Sequence, residues 1–195
     1  MVDIGLLRQY GAVEKQLRQG EMLFQEGDAA VFFYQILRGS VKMSNYNDEG
    51  QESLQGIFET NQSFGEPALF GDFPFPANAE ALQETQLICL EKSRLRQLLQ
   101  DHFEVHFQLL ATLSRRLRYK AILSKEIKGN DAANRILSLL QYLKGEAKVE
   151  GEYQVNITRQ IIANLTGLRV ETVIRSIKSL EKSGQLTLKD RKIFI

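Results

Sequence analysis

The 195 residues contain a single cysteine, no tryptophan, three prolines and two histidines. A lone Cys89 cannot form an internal disulfide, a cysteine zinc site or a four-cysteine iron–sulfur cluster within one chain. Its setting, Gln86-Leu87-Ile88-Cys89-Leu90, predicts a core thiol, because free cysteine is among the most buried residue types. No apolar run approaches the roughly 18 residues of a membrane span. Met1 to Arg8 also lack the charged start, apolar core and cleavage site of a secretory signal, so a cytoplasmic chain with no membrane partner is expected. His102 and His106 stand four apart with only Asp101 and Glu104 beside them, so no metal site and no cofactor is expected. No set of nucleophile, base and orienting group stands out, and the chain is expected not to be an enzyme.

With 43% hydrophobic residues the chain has ample material for a core, and its net charge of +1 hides an uneven distribution. Residues 1–104 hold eight Lys and Arg against sixteen Asp and Glu, residues 105–130 six against one, and residues 131–195 eleven against seven. An acidic front and a basic back suggest that the back meets a polyanion, although a solvated basic helix face would give similar counts.

From Gly20 to about Leu90 the chain reads as short strands separated by turns. Glu21-Met22-Leu23-Phe24 ends at Glu26-Gly27-Asp28, Val31 to Leu37 ends at Arg38-Gly39, and Val41-Lys42-Met43-Ser44 alternates apolar and polar before Asn47-Asp48-Glu49-Gly50 turns into Gln51 to Phe58. Strands so closely spaced imply a small antiparallel sandwich or barrel, since no helical pattern separates them as parallel units would require.

From Lys92 the period becomes helical. Leu95, Leu98, Leu99, His102, Phe103 and His106 share one spacing, interrupted near Asp101, and the pattern continues through Leu110, Leu113 and Leu117 to Ile127. A helix of about 24 residues spans about 36 Å. Leu110, Leu113 and Leu117, followed by small Ala121 and Ser124, fit the seam of a two-stranded coiled coil, so a homodimer interface is expected there. Gly129-Asn130-Asp131 is read as the end of this helix, with Asp131 capping the next one over Ala132 to Leu143. Lys144-Gly145 to Gly151-Glu152 is read as a polar connection. Three domains follow: 1–104, a β-rich domain; 105–130, the helix and hinge; and 131–195.

The last segment carries the most specific pattern. Thr158 is a suitable N-cap for a helix from Arg159 to about Thr166, Gly167 supplies a positive φ, and a second helix runs from about Val170 to Lys182. Ala163 supplies the small residue where such helices cross, and Ile162, Leu168 and Val173 their shared core, as in a helix-turn-helix. Ser183-Gly184 then turns into Gln185 to Leu188, and Lys189-Asp190-Arg191 into Lys192 to Ile195, a short hairpin with a basic tip that reads as the wing of a winged helix. Residues 157–195 hold eight Lys and Arg against three Asp and Glu. A recognition helix enters the major groove by its first turns, where Glu171 can accept from cytosine N4 and Arg175 can bond guanine bidentately. The same pair could instead form an ion pair along the helix surface.

Taken together, Gly20-Glu21-x-Leu23-Phe24-x-Glu26-Gly27-Asp28 with Tyr34, Gly39 and Val41-Lys42, then Phe64-Gly65-Glu66, Arg115-Arg116-Leu117, Ile157-Thr158-Arg159-Gln160 and Val170-Glu171-Thr172-Val173-x-Arg175 make the whole chain resemble the cyclic-AMP receptor protein / fumarate-nitrate regulator (CRP/FNR) family of bacterial transcription regulators. The resemblance implies an α+β fold: an N-terminal cyclic-nucleotide-binding-like β-roll (jelly roll), a long central dimerisation helix and a C-terminal winged helix-turn-helix. It implies double-stranded DNA as partner, with RNA polymerase as a further one. Glu171 and Arg175, with Val170 and Ile174, would then read bases, and Thr158, Arg159, Gln160, Thr172, Lys189 and Arg191 would hold phosphates. Val170-Glu171-Thr172 is similar to the FNR branch, implying a TTGAT-like half-site, whereas Ile174 stands where that branch has Ser.

In the family's effector pocket the resemblance breaks down. Phe64, Gly65 and Glu66 are in place. Phe75-Pro76 falls where cyclic-AMP binders carry Arg-Ser, and Lys120-Ala121 where they contact adenine with Thr-Ser, so the pocket has lost its anion partner and cyclic AMP is not expected. The effector is unnamed: the Phe- and Pro-rich segment could line an apolar pocket, or the pocket could be vestigial. Two other readings stay open, a β-roll ligand-binding module acting through protein partners and a DNA binder with a dead pocket.

Overall fold

A computed structural model describes residues 1–50, 52–128 and 131–195, the side chains of 126–128 excepted. The chain forms two compact units, Met1–Thr112 and Leu113–Ile195. The division falls inside the long helix. The expected helix end at Gly129-Asn130 lies outside the described residues.

The first unit begins with α1 (Ile4–Gln9), capped by Asp3, whose carboxylate accepts from the Leu6 amide at 2.8 Å. Eight strands follow: β1 (Val13–Leu17), β2 (Met22–Phe24), β3 (Phe32–Arg38), β4 (Ser40–Tyr46), β5 (Glu52–Glu59), β6 (Ser63–Phe64), then, after the short helix α2 (Glu66–Gly71), β7 (Asn78–Ala81) and β8 (Thr85–Glu91). They pair antiparallel in two four-stranded sheets, ordered β1-β8-β3-β6 and β2-β7-β4-β5. This is the β-roll.

Alternation along the strands explains the layers. On β3 and β8, Tyr34, Ile36, Leu87 and Cys89 point into the space between the sheets, while Phe33, Ile88 and Leu90 point the other way, onto Leu7 of α1 and onto Leu95 and Leu98 of α3 (Lys92–Asp101). Both faces of β3 and β8 are covered, which is why these two strands read as continuous apolar runs instead of alternating ones. Cys89 is buried, as its setting implies. The expected interruption near Asp101 is present: His102 is extended at φ −130°, ψ 80°, the Tyr10 hydroxyl donates to the Asp101 carboxylate at 2.7 Å, and α4 (Phe103–Lys128) starts afresh.

The second unit contains the C-terminal part of α4, α5 (Ala132–Ala147), β9 (Gln154–Val155), α6 (Arg159–Thr166), α7 (Val170–Lys182), β10 (Thr187–Lys189) and β11 (Lys192–Phe194). Asp131 caps α5, accepting from Ala133 and Asn134 at 2.9 and 3.1 Å. The sequence reading ended this helix four residues early, at Leu143. Gly145 is only about 1 kcal/mol worse than Ala inside a helix, and α5 runs through it to Ala147, where Lys148 turns left-handed at φ 53°. The wing is three-stranded, ordered β10-β11-β9; β9, two residues long, carried too little pattern to be foreseen. Ile136, Leu139 and Leu140 of α5 join Ile162, Ala163, Val173, Ile177, Leu180, Leu186 and Ile193 in one core.

Candidate nucleic-acid interface

The two helices of the motif are set by local chemistry. The Thr158 hydroxyl accepts from the Ile161 amide at 3.2 Å, opening α6, and Gly167 closes it in the left-handed region at φ 66°, where a residue with a Cβ would be strained. Leu168 then donates its amide to the Ala163 carbonyl at 3.1 Å. From α5, the buried Arg135 guanidinium donates to the Thr166 carbonyl at 3.1 Å, tying the turn to the helix beneath it. This support left no signal in the sequence, where Arg135 is one more cation.

On α7 the buried residues are Val173, Ile177 and Leu180, which turn one face to the core. The opposite face is exposed and carries Glu171, Ile174 and Arg175. Among the described residues Glu171 and Arg175 form no salt bridge with each other, so the helix-surface ion pair is not what holds them. Val170 packs partly against the core, and Thr172 is half-buried at the edge of the exposed face. The sequence reading missed Lys178 and Lys182, exposed at three- and four-residue steps beyond Arg175, and Arg169, exposed at the N-cap with no side-chain cap bond. Helical spacing from Arg175 was the available signal for the two lysines.

The expected phosphate-holding residues sit on different elements. Thr158, Arg159 and Gln160 open α6, and the Gln160 amide donates to Asn164 at 2.8 Å. Lys189 ends β10, and Asp190 and Arg191 form the hairpin turn, both with positive φ, 49° and 62°. Lys189 is paired with Glu152 at 2.6 Å.

The residues expected around an effector divide between the units. Phe64, Gly65, Glu66 and Phe75 lie in the first, and all four are buried. The Glu66 carboxylate accepts from the Ser63 hydroxyl. Lys120 and Ala121 belong to the second unit and are exposed. On α4, Val105, Leu109, Thr112, Tyr119 and Leu123 are buried, whereas Leu110 and Leu117 are 54% and 71% exposed. Phe103, Phe107, Ala121 and Ser124 share that open face, and Leu113 is half-buried at its edge.

A β-roll followed by a long helix and a winged helix-turn-helix defines a DNA-binding transcription regulator with a sensor-type domain. Residues 14–102 match the cyclic nucleotide-binding domain, and residues 134–195 match the Crp-like helix-turn-helix domain. The chain is 31% identical over 180 residues to the cAMP-activated global transcriptional regulator CRP of Haemophilus influenzae, an alignment that covers 89% of this chain and 79% of that protein. It is 27% identical over 201 residues to the fumarate and nitrate reduction regulatory protein of Escherichia coli, across 93% and 74% of the two chains. The crystal structure of the catabolite activator protein of Thermus thermophilus superimposes with a TM-score of 0.60 at 26% identity, covering 97% of this chain and 87% of that one. The chain belongs to the CRP/FNR family of transcription regulators. No helix among the described residues is long and apolar enough to cross a membrane.

Proposed function

We propose that this regulator acts in the cytoplasm as a homodimer joined along α4, reads a pseudo-palindromic duplex with Glu171 and Arg175 of α7, and does so without cyclic AMP. The exposed, mutually unpaired Glu171 and Arg175 at the start of α7 carry this reading, because an acceptor and a bidentate donor one turn apart match adjacent base edges in the major groove. Lys178 and Lys182 extend the same face toward the phosphates. Residues 131–195 supply the positive charge that a polyanion needs, and the exposed apolar row on α4 supplies a self-complementary surface for two-fold pairing. The family resemblance adds RNA polymerase as a partner once the dimer is seated.

Selection from a random duplex pool tests this reading. The enriched sequences should contain two inverted half-sites about one helical turn apart, with the same enrichment whether or not cyclic AMP is present. Enriched sequences without an inverted repeat would remove the dimeric reading, and no enrichment at all would leave only a nonspecific basic patch.

A further inference from the structure

The interior of the β-roll is filled with aromatic rings. Phe24 and Phe75 are stacked, with centroids 3.6 Å apart and planes 8° from parallel. Tyr34 and Phe64 lie stacked beside them at 5.7 Å, and Phe58 reaches Phe64 at 5.5 Å. Phe75 differs from the others in origin. Its neighbours belong to strands or lie next to them in the sheets, whereas Phe75 comes from the segment between α2 and β7 and is 2% exposed.

That segment is anchored on both sides. The Gly27 amide donates to the Phe75 carbonyl at 2.9 Å, and the Phe75 amide donates to the Asp28 carbonyl at 2.8 Å. The Asn45 side-chain amide donates to the Pro76 carbonyl at 2.6 Å and to the Glu26 carboxylate at 2.8 Å. Phe75 is also seated over Gly65, which has φ 79°: a Cβ there would meet the edge of the Phe75 ring at 3.0 Å. Ring, backbone and floor fit one another.

We infer that Phe75 is a built-in occupant of the β-roll: its ring, delivered by an anchored strap, fills the aromatic seat that a diffusible flat ligand would need. A group tethered to the chain competes at an effective concentration of about millimolar, which a micromolar metabolite does not match. A ligand entering this seat would have to displace a stacked ring and break the bonds to the Gly27-Asp28 turn. The sensor unit is therefore permanently filled. This inference concerns the first unit alone and does not depend on how α7 reads DNA.

The test melts the full-length protein in the absence of DNA. The unaltered chain should keep its melting temperature in 1 mM cyclic AMP, 1 mM cyclic GMP and 5 mM indole. Phe75→Ala should lose about 10 °C, and 5 mM indole should restore several degrees by binding the vacated seat. Phe75→Leu, which keeps most of the volume, should lose less than half as much and gain nothing from indole. If Phe75→Ala does not fold, Phe75→Val is melted against benzene with the same two outcomes. A rise of the unaltered chain with either nucleotide or indole would show an open seat and overturn the inference, as would a vacated seat that no aromatic probe restores. Either failure leaves the reading of DNA by α7 standing, since no duplex is present, although a rise with cyclic AMP would also count against its independence of that nucleotide.

Discussion

Lys189 at the wing and Glu152 before β9 are paired through both carboxylate oxygens, at 2.6 and 2.8 Å, with the Lys189 ammonium also 4.9 Å from the centre of the Phe194 ring. Both side chains are about half exposed, and pairs of that kind contribute only about 0–1 kcal/mol. The wing cation can therefore exchange Glu152 for a phosphate at small cost. Glu152→Gln should raise affinity several-fold on cognate and scrambled duplexes alike. Lys189→Ala should lower both and reduce the salt slope by about two for a symmetric dimer. Titrations at several salt concentrations decide it, and a change confined to the cognate duplex would place Lys189 on a base instead.

Arg175 should behave differently although it too is a cation. Arg175→Ala removes a bidentate guanine contact and should cost about 1–3 kcal/mol on the preferred site and little on scrambled DNA. Equal losses on both duplexes would show that α7 does not read sequence.

The α4 face offers a dimer test that leaves the fold intact. Leu110 and Leu117 are exposed in the single chain, so replacing both with Asp removes no core contact, yet it buries like charges if two copies pair there. Sedimentation should then show a folded monomer with weakened DNA binding. Leu113, half-buried, is the poorer probe. A persistent dimer would move the interface away from α4.

Burial pushes the Cys89 thiol from 9.0 up to about 11 and the Tyr34 hydroxyl from 10.0 up to about 12. Both groups are neutral in the fold and ionise more readily once it opens. Their contribution to stability is complete below about pH 9 and is lost as pH rises through the folded values, so melting temperatures should begin to fall above pH 9 and continue to fall toward pH 12. A thiol reagent at pH 8 should label Cys89 only at the rate of unfolding. Rapid labelling of the native chain would mean that the thiol is accessible.

The sequence alone determined the elements whose boundaries rest on local chemistry. Thr158 and Gly167 bracket α6, because an N-cap hydroxyl and a left-handed glycine act within one turn of chain, and α7 begins soon after Gly167, as its spacing implies. Asp131 was legible for the same reason, and so was the antiparallel roll, whose strands are punctuated by turns. Only the tertiary structure decided the rest. Gly145 looked like a stop, but a helix packed through Ile136, Leu139 and Leu140 absorbs one glycine. Nothing in Phe73-Pro74-Phe75-Pro76 tells which ring turns inward. That choice was made by the bonds to Gly27 and Asp28 and by the flat face of Phe24, some fifty residues away along the chain, because stacking and strap hydrogen bonds exist only once the sheets have closed.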